Sequence, residues 1–183
     1  MLKKILLGVL AIIAVLAAII AVQPSEFRVE RTTVVAAPPS TLFAHVNDLH
    51  KWQAWSPWAK LDPAAKVSFE GPEAGVGAVF NWSGNEQVGE GRMTVVESIP
   101  DDRVKTEVAM VKPFEGKSAS EFDLTPAGDQ TAITWAMTGH HGFVGKALCL
   151  IMDGKGMLGA EMEKGLAQLK QVIEGEGKAP NPS

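Results

Sequence analysis

Gly154, Gly156 and Gly159 stand in the spacing G-x-G-x-x-G, the pattern of a turn that holds a pyrophosphate at a helix N-terminus. ALCLIMD precedes them and AEMEKGLAQL follows, with Glu174 where a ribose-binding acid would stand. A dinucleotide unit then needs a second parallel strand, and only GEGKAPNPS remains. The glycines are better read as small residues that let a closing helix pass near a sheet, or leave space for a ligand. Gly145-Lys146 resembles a phosphate loop but has His140 in place of the first glycine and Ala147 where Ser or Thr is required. No cofactor is expected.

The other reactive side chains are scattered. His45 and His50 would diverge by about 140° on a helix. His140 and His141 are adjacent near a strand end and should point apart. Neither pair makes a metal set, and one cysteine excludes an intramolecular disulfide or a thiolate zinc cage. Cys149, between Leu148 and Leu150, reads as a buried, inert thiol. Asp101-Asp102 and Glu161/Glu163 read as turn and solvated-helix carboxylates rather than an acid–base pair. Glu90 and Arg92 alternate onto the outer face of their strand. No G-x-S-x-G elbow occurs, so no catalytic residue is assigned.

These residues must be positioned by a chain of 183 residues, enough for one ordinary domain and a little more. Residues 5–22 (ILLGVLAIIAVLAAIIAV) contain no charge or hydrogen-bonding side chain, and Lys3 and Lys4 precede them. Such a stretch rises about 27 Å as a helix, close to the hydrocarbon thickness of a bilayer. A cleavable signal peptide is the alternative, but bulky Ile19, Ile20 and Val22 crowd the end where a protease needs small side chains. Residues 1–23 are therefore read as a membrane anchor and 24–26 as a tether. The basic start places the N-terminus in the cytoplasm and the domain on the extracytoplasmic side of the membrane. Arg28 and Arg31, just after the span, oppose that orientation. Beyond residue 22 the chain carries 15 basic against 21 acidic residues, which argues against nucleic acid as a partner.

The soluble part, 27–175, alternates short patterns. FRVERTTVV (27–35) reads as a strand, TLFAHVNDL as a short helix, and HKWQAWSPWAKLDP as a second one stopping at Ser56-Pro57. Lys66–Glu70, Ala78–Ser83, Gly91–Ser98, Val104–Val111, Ser118–Thr125 and Thr131–Thr138 follow as six strands of an antiparallel meander. Val144, Leu148, Met152, Met162, Leu166, Leu169 and Ile173 mark one long amphipathic helix, with a kink or break near 154–156. Residues 176–183 read as a disordered tail. The expected class is α+β: about seven curved antiparallel strands wrapped on a C-terminal helix.

Three segments carry a resemblance to a known family. They are APPSTLFAHVNDLHKWQAWSPWAKLDP (37–63), GPEAGVGAVFNWSGNEQVGEGRMTVVESIPDDRV (71–104) and GMLGAEMEKGLAQLKQ (156–171). The chain resembles the SRPBCC superfamily of START-like proteins, in its polyketide cyclase/dehydrase-like branch with one membrane segment. The resemblance implies a helix-grip fold with a hydrophobic cavity and says little about chemistry.

Taking alternate residues on the apolar face of each strand gives the candidate cavity lining: Phe80, Trp82, Met93, Val108, Met110, Phe122, Trp135 and Met137. Met152 and Met162 would face them from the helix, and Thr106 and Ser120 would supply polar contacts. Residue by residue, the plainer reading is a filled core in which Met fills gaps. Trp52, Trp55 and Trp58 would staple the small helices over the sheet edge or stand at a cavity mouth, in reach of a lipid headgroup region. The favoured function is binding of a hydrophobic small molecule or lipid. A cyclase or dehydratase, and a scaffold with a filled cavity, are the alternatives.

Overall fold

Residue alternation decides this architecture: where apolar side chains recur every second position the chain is strand, and where they recur every third or fourth it is helix. A computed structural model describes residues 2–140, 142–151 and 153–177. Helix α1 (Leu2–Val22) leads into β1 (Glu26–Val35), and two small helices follow, α2 (Pro39–Val46) and α3 (Trp52–Trp55). A 3-10 turn at Trp58–Lys60 then precedes six strands: β2 (Lys66–Glu70), β3 (Val79–Ser83), β4 (Glu90–Ile99), β5 (Arg103–Lys112), β6 (Gly116–Ala127) and β7 (Gln130–His140). Helices α4 (Phe143–Ile151) and α5 (Gly154–Glu176) end the fold.

All strand pairs are antiparallel in the order β1-β7-β6-β5-β4-β3-β2. β2 to β7 form the expected meander, and β1 joins the far side of β7. The register brings the apolar residues of successive strands into rows on one face. Phe80 lies opposite Met93, Met93 opposite Val108, and Trp135 opposite Phe122. A bulge between Val95 and Glu97 adds one residue to β4 without losing the row, since Val95 pairs with Thr106 and Thr106 with Ser120.

The expected long closing helix is interrupted immediately before the glycines that suggested a kink or break. Asp153 is the stop: its carboxylate accepts the Gly156 N–H at 2.9 Å and caps α5. α5 then lies along β1, with α3 at its side. α4 turns instead toward α1, where Lys146 Nζ donates to the Ala21 carbonyl at 3.2 Å. The six-residue glycine pattern is thus the first turns of a capped helix that follows another helix, not a strand. α5 runs to Glu176, into what was expected to be tail, and the rest of that tail lies outside the described residues.

α1 is long and apolar enough to cross a membrane over Lys3–Val22, and 0% of that window is buried against the domain. The core sits under α5. Leu42, Val46, Leu49, Trp55, Phe122, Ile133, Trp135, Met162, Leu166 and Leu169 are all buried there.

Candidate functional site: an apolar trough on the inner face of the sheet

The inner face divides into a closed half and an open half. In the closed half, under α3 and α5, five rings meet. Trp52 packs on Trp55 at 4.8 Å and edge-on to Phe122 at 5.4 Å, and Phe122 stacks on Trp135 at 5.0 Å. Trp58 meets Trp135 edge-on at 5.8 Å. Trp52 and Trp55 are thus staples of the interior, not residues of a cavity mouth, and only Trp58 stays half-buried. The cause is local: the 52/55 spacing puts both rings on one side of a single helical turn, facing the sheet. Phe122, Trp135 and Met162, candidates for cavity lining, are at most 1% exposed and fill this half.

The two polar candidates are engaged within the fold. Trp135 Nε1 donates to Ser120 Oγ at 2.6 Å, and Thr106 Oγ1 approaches the Ser120 carbonyl at 3.5 Å. Both residues are buried. Met152 lies outside the described residues.

The open half spans β2 to β5. Phe69, Phe80, Trp82, Met93 and Met110 all project onto the inner face and remain half-buried, as does Met137 on β7, while Val108 is buried among them. Phe80 stacks on Trp82 at 5.5 Å and tilts against Phe69 at 5.4 Å, so the rings form a continuous apolar wall. His50 stacks on Phe69 at 3.9 Å and extends it.

The W-x-G-N…G-x-G-x-M pattern builds this wall. Gly91 lies opposite Trp82, and a Cβ there would sit 2.5 Å from the indole, so only glycine lets the ring lie flat on β4. Trp82 Nε1 is fixed by the Val88 carbonyl at 3.1 Å. Gly89 has φ +66°, and a Cβ on it would meet the Lys112 carbonyl at 2.2 Å. Asn85 ties the β3–β4 hairpin to the Trp-rich segment through the Asp62 carboxylate and the Leu61 carbonyl.

Arg31, on β1 and away from the open half, was not anticipated on the inner face. Strand alternation puts it on the inner face with Phe27, Val29, Thr33 and Val35. Its Nε donates to Glu163 of α5 at 2.5 Å, and its guanidinium lies where a Gly159 side chain would be. The signal was present in FRVER, where Arg31 shares parity with the apolar residues. The outer face carries the charges instead. Arg92 pairs with Glu70, Lys112 with Glu90, and Arg103 with Asp123, whose hydrogen bond raises the Arg103 pKa further. A shallow groove of about 350 Å³ runs there among Lys66, Ser68, Asn81, Glu90 and Arg92.

Reactive groups do not converge. His45 is held by the Thr41 carbonyl and Glu176, His140 lies beside Glu26, and His141 is outside the described residues. Among the described residues no three His, Cys, Asp or Glu side chains are placed to share a metal ion. The Cys149 side chain lies outside the described ones.

A family model described as polyketide cyclase / dehydrase and lipid transport matches residues 26–174, the whole sheet and nearly all of α5. The chain belongs to this family. Proteins of the same fold appear among solved structures at low identity. A Thalictrum flavum norcoclaurine synthase point mutant, in complex with a transition-state analogue, is 17% identical with a TM-score of 0.61. The match covers 86% of this chain and 99% of that one. A Mesorhizobium loti protein is 18% identical at a TM-score of 0.60, covering 81% and 97%. The Aha1 dimer of Colwellia psychrerythraea is 16% identical at 0.58, covering 81% and 96%. At such identities the shared property is the helix-grip fold. No curated protein sequence matches the chain significantly.

Proposed function

We propose that the protein is a membrane-tethered binding module that holds a hydrophobic small molecule or lipid in the open half of its inner face. One observation carries this reading: Phe80, Trp82, Met93 and Met110, on the adjacent strands β3, β4 and β5, form a contiguous apolar surface that the fold leaves half-exposed. Fully burying a side chain of this size from water is worth about 1.5–3 kcal/mol, and the part of each that the fold leaves in water is what an apolar occupant would cover. Methionine side chains re-pack readily around differently shaped guests. The family's description, which includes lipid transport, agrees with that chemistry.

Tethering is supported by α1, whose apolar length fits a bilayer and which the domain does not bury. In this reading Lys3 and Lys4 stay in the cytoplasm and the domain stands on the periplasmic side. The cyclase or dehydratase alternative needs a proton-transfer group facing the trough. His50 stacks on Phe69 with Asp48 on its Nδ1 at 3.0 Å, so its Nε2 is the group this alternative would have to use.

The experiment is titration of the detergent-solubilised full chain with a fluorescent fatty-acyl probe. Saturable binding in the wild type, weakened at least tenfold by Met93→Glu with the fold intact, is the expected result. Equal binding by both chains would remove the trough as the site.

A further inference from the structure

Two exposed phenylalanines and an exposed leucine stand at the end of the sheet nearest the membrane anchor. Phe114, in the β5–β6 turn, is 63% exposed, and Phe143 and Leu150 of α4 are 55% and 46% exposed. Phe143 and Leu150 are seven residues apart, two helical turns, and so share one side of α4. Register fixes where these residues sit. β1 begins at Glu26 opposite His140, the last residue of β7, while Ser118 at the start of β6 lies opposite Gly139. The β5–β6 turn, the β7–α4 connection and the start of β1 are therefore all at one end of the sheet.

Three residues, Gln23–Ser25, separate α1 from β1. Fully extended, that link reaches about 14 Å. β6 is two strands from β1, a lateral step of about 10 Å, and β5 about 15 Å. With α1 in a bilayer, the turn holding Phe114 has little room to stand clear of the headgroups. α4 is held closer still, since Lys146 reaches the Ala21 carbonyl near the end of α1.

We infer that Phe114, Phe143 and Leu150 form a rim that inserts into the headgroup–acyl boundary of a phospholipid bilayer, so that the apolar trough opens onto the membrane surface. The inference rests on the tethering reading above and extends it. The chemistry is apolar insertion more than charge: Lys112 is paired with Glu90, and Glu115 stands next to Phe114. Met110 and Trp82 occupy the trough row nearest this end, with Gly116 opposite Met110 and Gly91 opposite both Met110 and Trp82. A lipid leaving the bilayer at the rim would meet those side chains first.

The test uses the full chain with Cys149→Ala, reconstituted in nanodiscs of phosphatidylethanolamine and phosphatidylglycerol. Spin labels are placed singly through Phe114→Cys, Phe143→Cys, Leu150→Cys, Ile12→Cys within α1, and Asp129→Cys in the β6–β7 turn at the opposite end. Power saturation then compares access of oxygen with access of a water-soluble nickel chelate. Labels at 12, 114, 143 and 150 should favour oxygen, and the label at 129 should favour nickel by at least fivefold over those at the rim. A lipid-embedded label at 12, with labels at 114 and 143 as nickel-accessible as that at 129, would overturn the rim and leave the tether standing. A water-exposed label at 12 would overturn both.

Discussion

Gly165 of α5 lies against the indole of Trp135, and a methyl group built on it would sit 2.9 Å from Cζ3 and 3.0 Å from Cδ of Pro57. The helix approaches the sheet this closely because one residue has no side chain. Gly159, six residues earlier, faces the Arg31 guanidinium instead, at 2.1 Å from the position of such a methyl. The two sites look alike in sequence and differ in what would have to move.

Gly165→Ala should therefore destabilise the domain. Its neighbours are a buried ring and a proline, neither able to retreat, and overpacking costs about 1–3 kcal/mol against a helix-propensity gain of about 1. Gly159→Ala should be near neutral, because the end of the Arg31 side chain can swing away and the same propensity gain applies. Denaturant unfolding of the two variants in detergent checks this, and the expected order is Gly165→Ala below Gly159→Ala.

Ser120→Ala removes the acceptor for Trp135 Nε1, a 2.6 Å bond in the interior. An orphaned buried donor costs about 1–3 kcal/mol. Thr106→Val removes a hydroxyl whose contact is longer, 3.5 Å, and replaces it with a methyl, so it should cost less. Melting temperatures of both variants, compared with wild type, decide the order.

Asp153→Ala should unlatch the start of α5. The carboxylate caps the Gly156 N–H, and losing such a cap costs about 0.5–2 kcal/mol. Because α4 and α5 are separate helices, the loss should appear as faster amide hydrogen exchange in the first turns of α5, with the sheet amides unchanged. Uniform acceleration throughout the domain would contradict it.

Much of the fold was legible because its sheet obeys a period of two. The six meander strands fall within one or two residues of their expected ends, and their apolar parity holds on all of them, even across the bulge at Val96. What the pattern left open is which apolar residues are core and which are free to bind. Phe122 and Phe80 share chemistry and parity, yet one is sealed under α3 and α5 and the other is half-exposed. That distinction depends on where the closing helix lies, and the helix is redirected by Asp153, a residue whose capping role is local and easily passed over inside an amphipathic run. Arg31 was hidden for a related reason: as an arginine it reads as solvent-facing until strand parity turns it inward and Glu163 receives it.

A charge placed at the trough should act differently from one placed in the closed half. Met110→Lys is half-exposed and should fold, with its ammonium reaching solvent, while Phe122→Lys, fully buried, should not accumulate as folded protein. Far-UV circular dichroism and yield from membranes distinguish them. Equal loss of both would mean that the open half is core.

The most direct measurement is native mass spectrometry of the full chain, extracted from membranes in detergent and released in the gas phase. The account predicts a population heavier than the 19.5 kDa polypeptide by the mass of one lipid-sized molecule, absent in Met93→Glu. Bare polypeptide from several expression hosts, with no added mass after incubation with phospholipids or fatty acids, would contradict it.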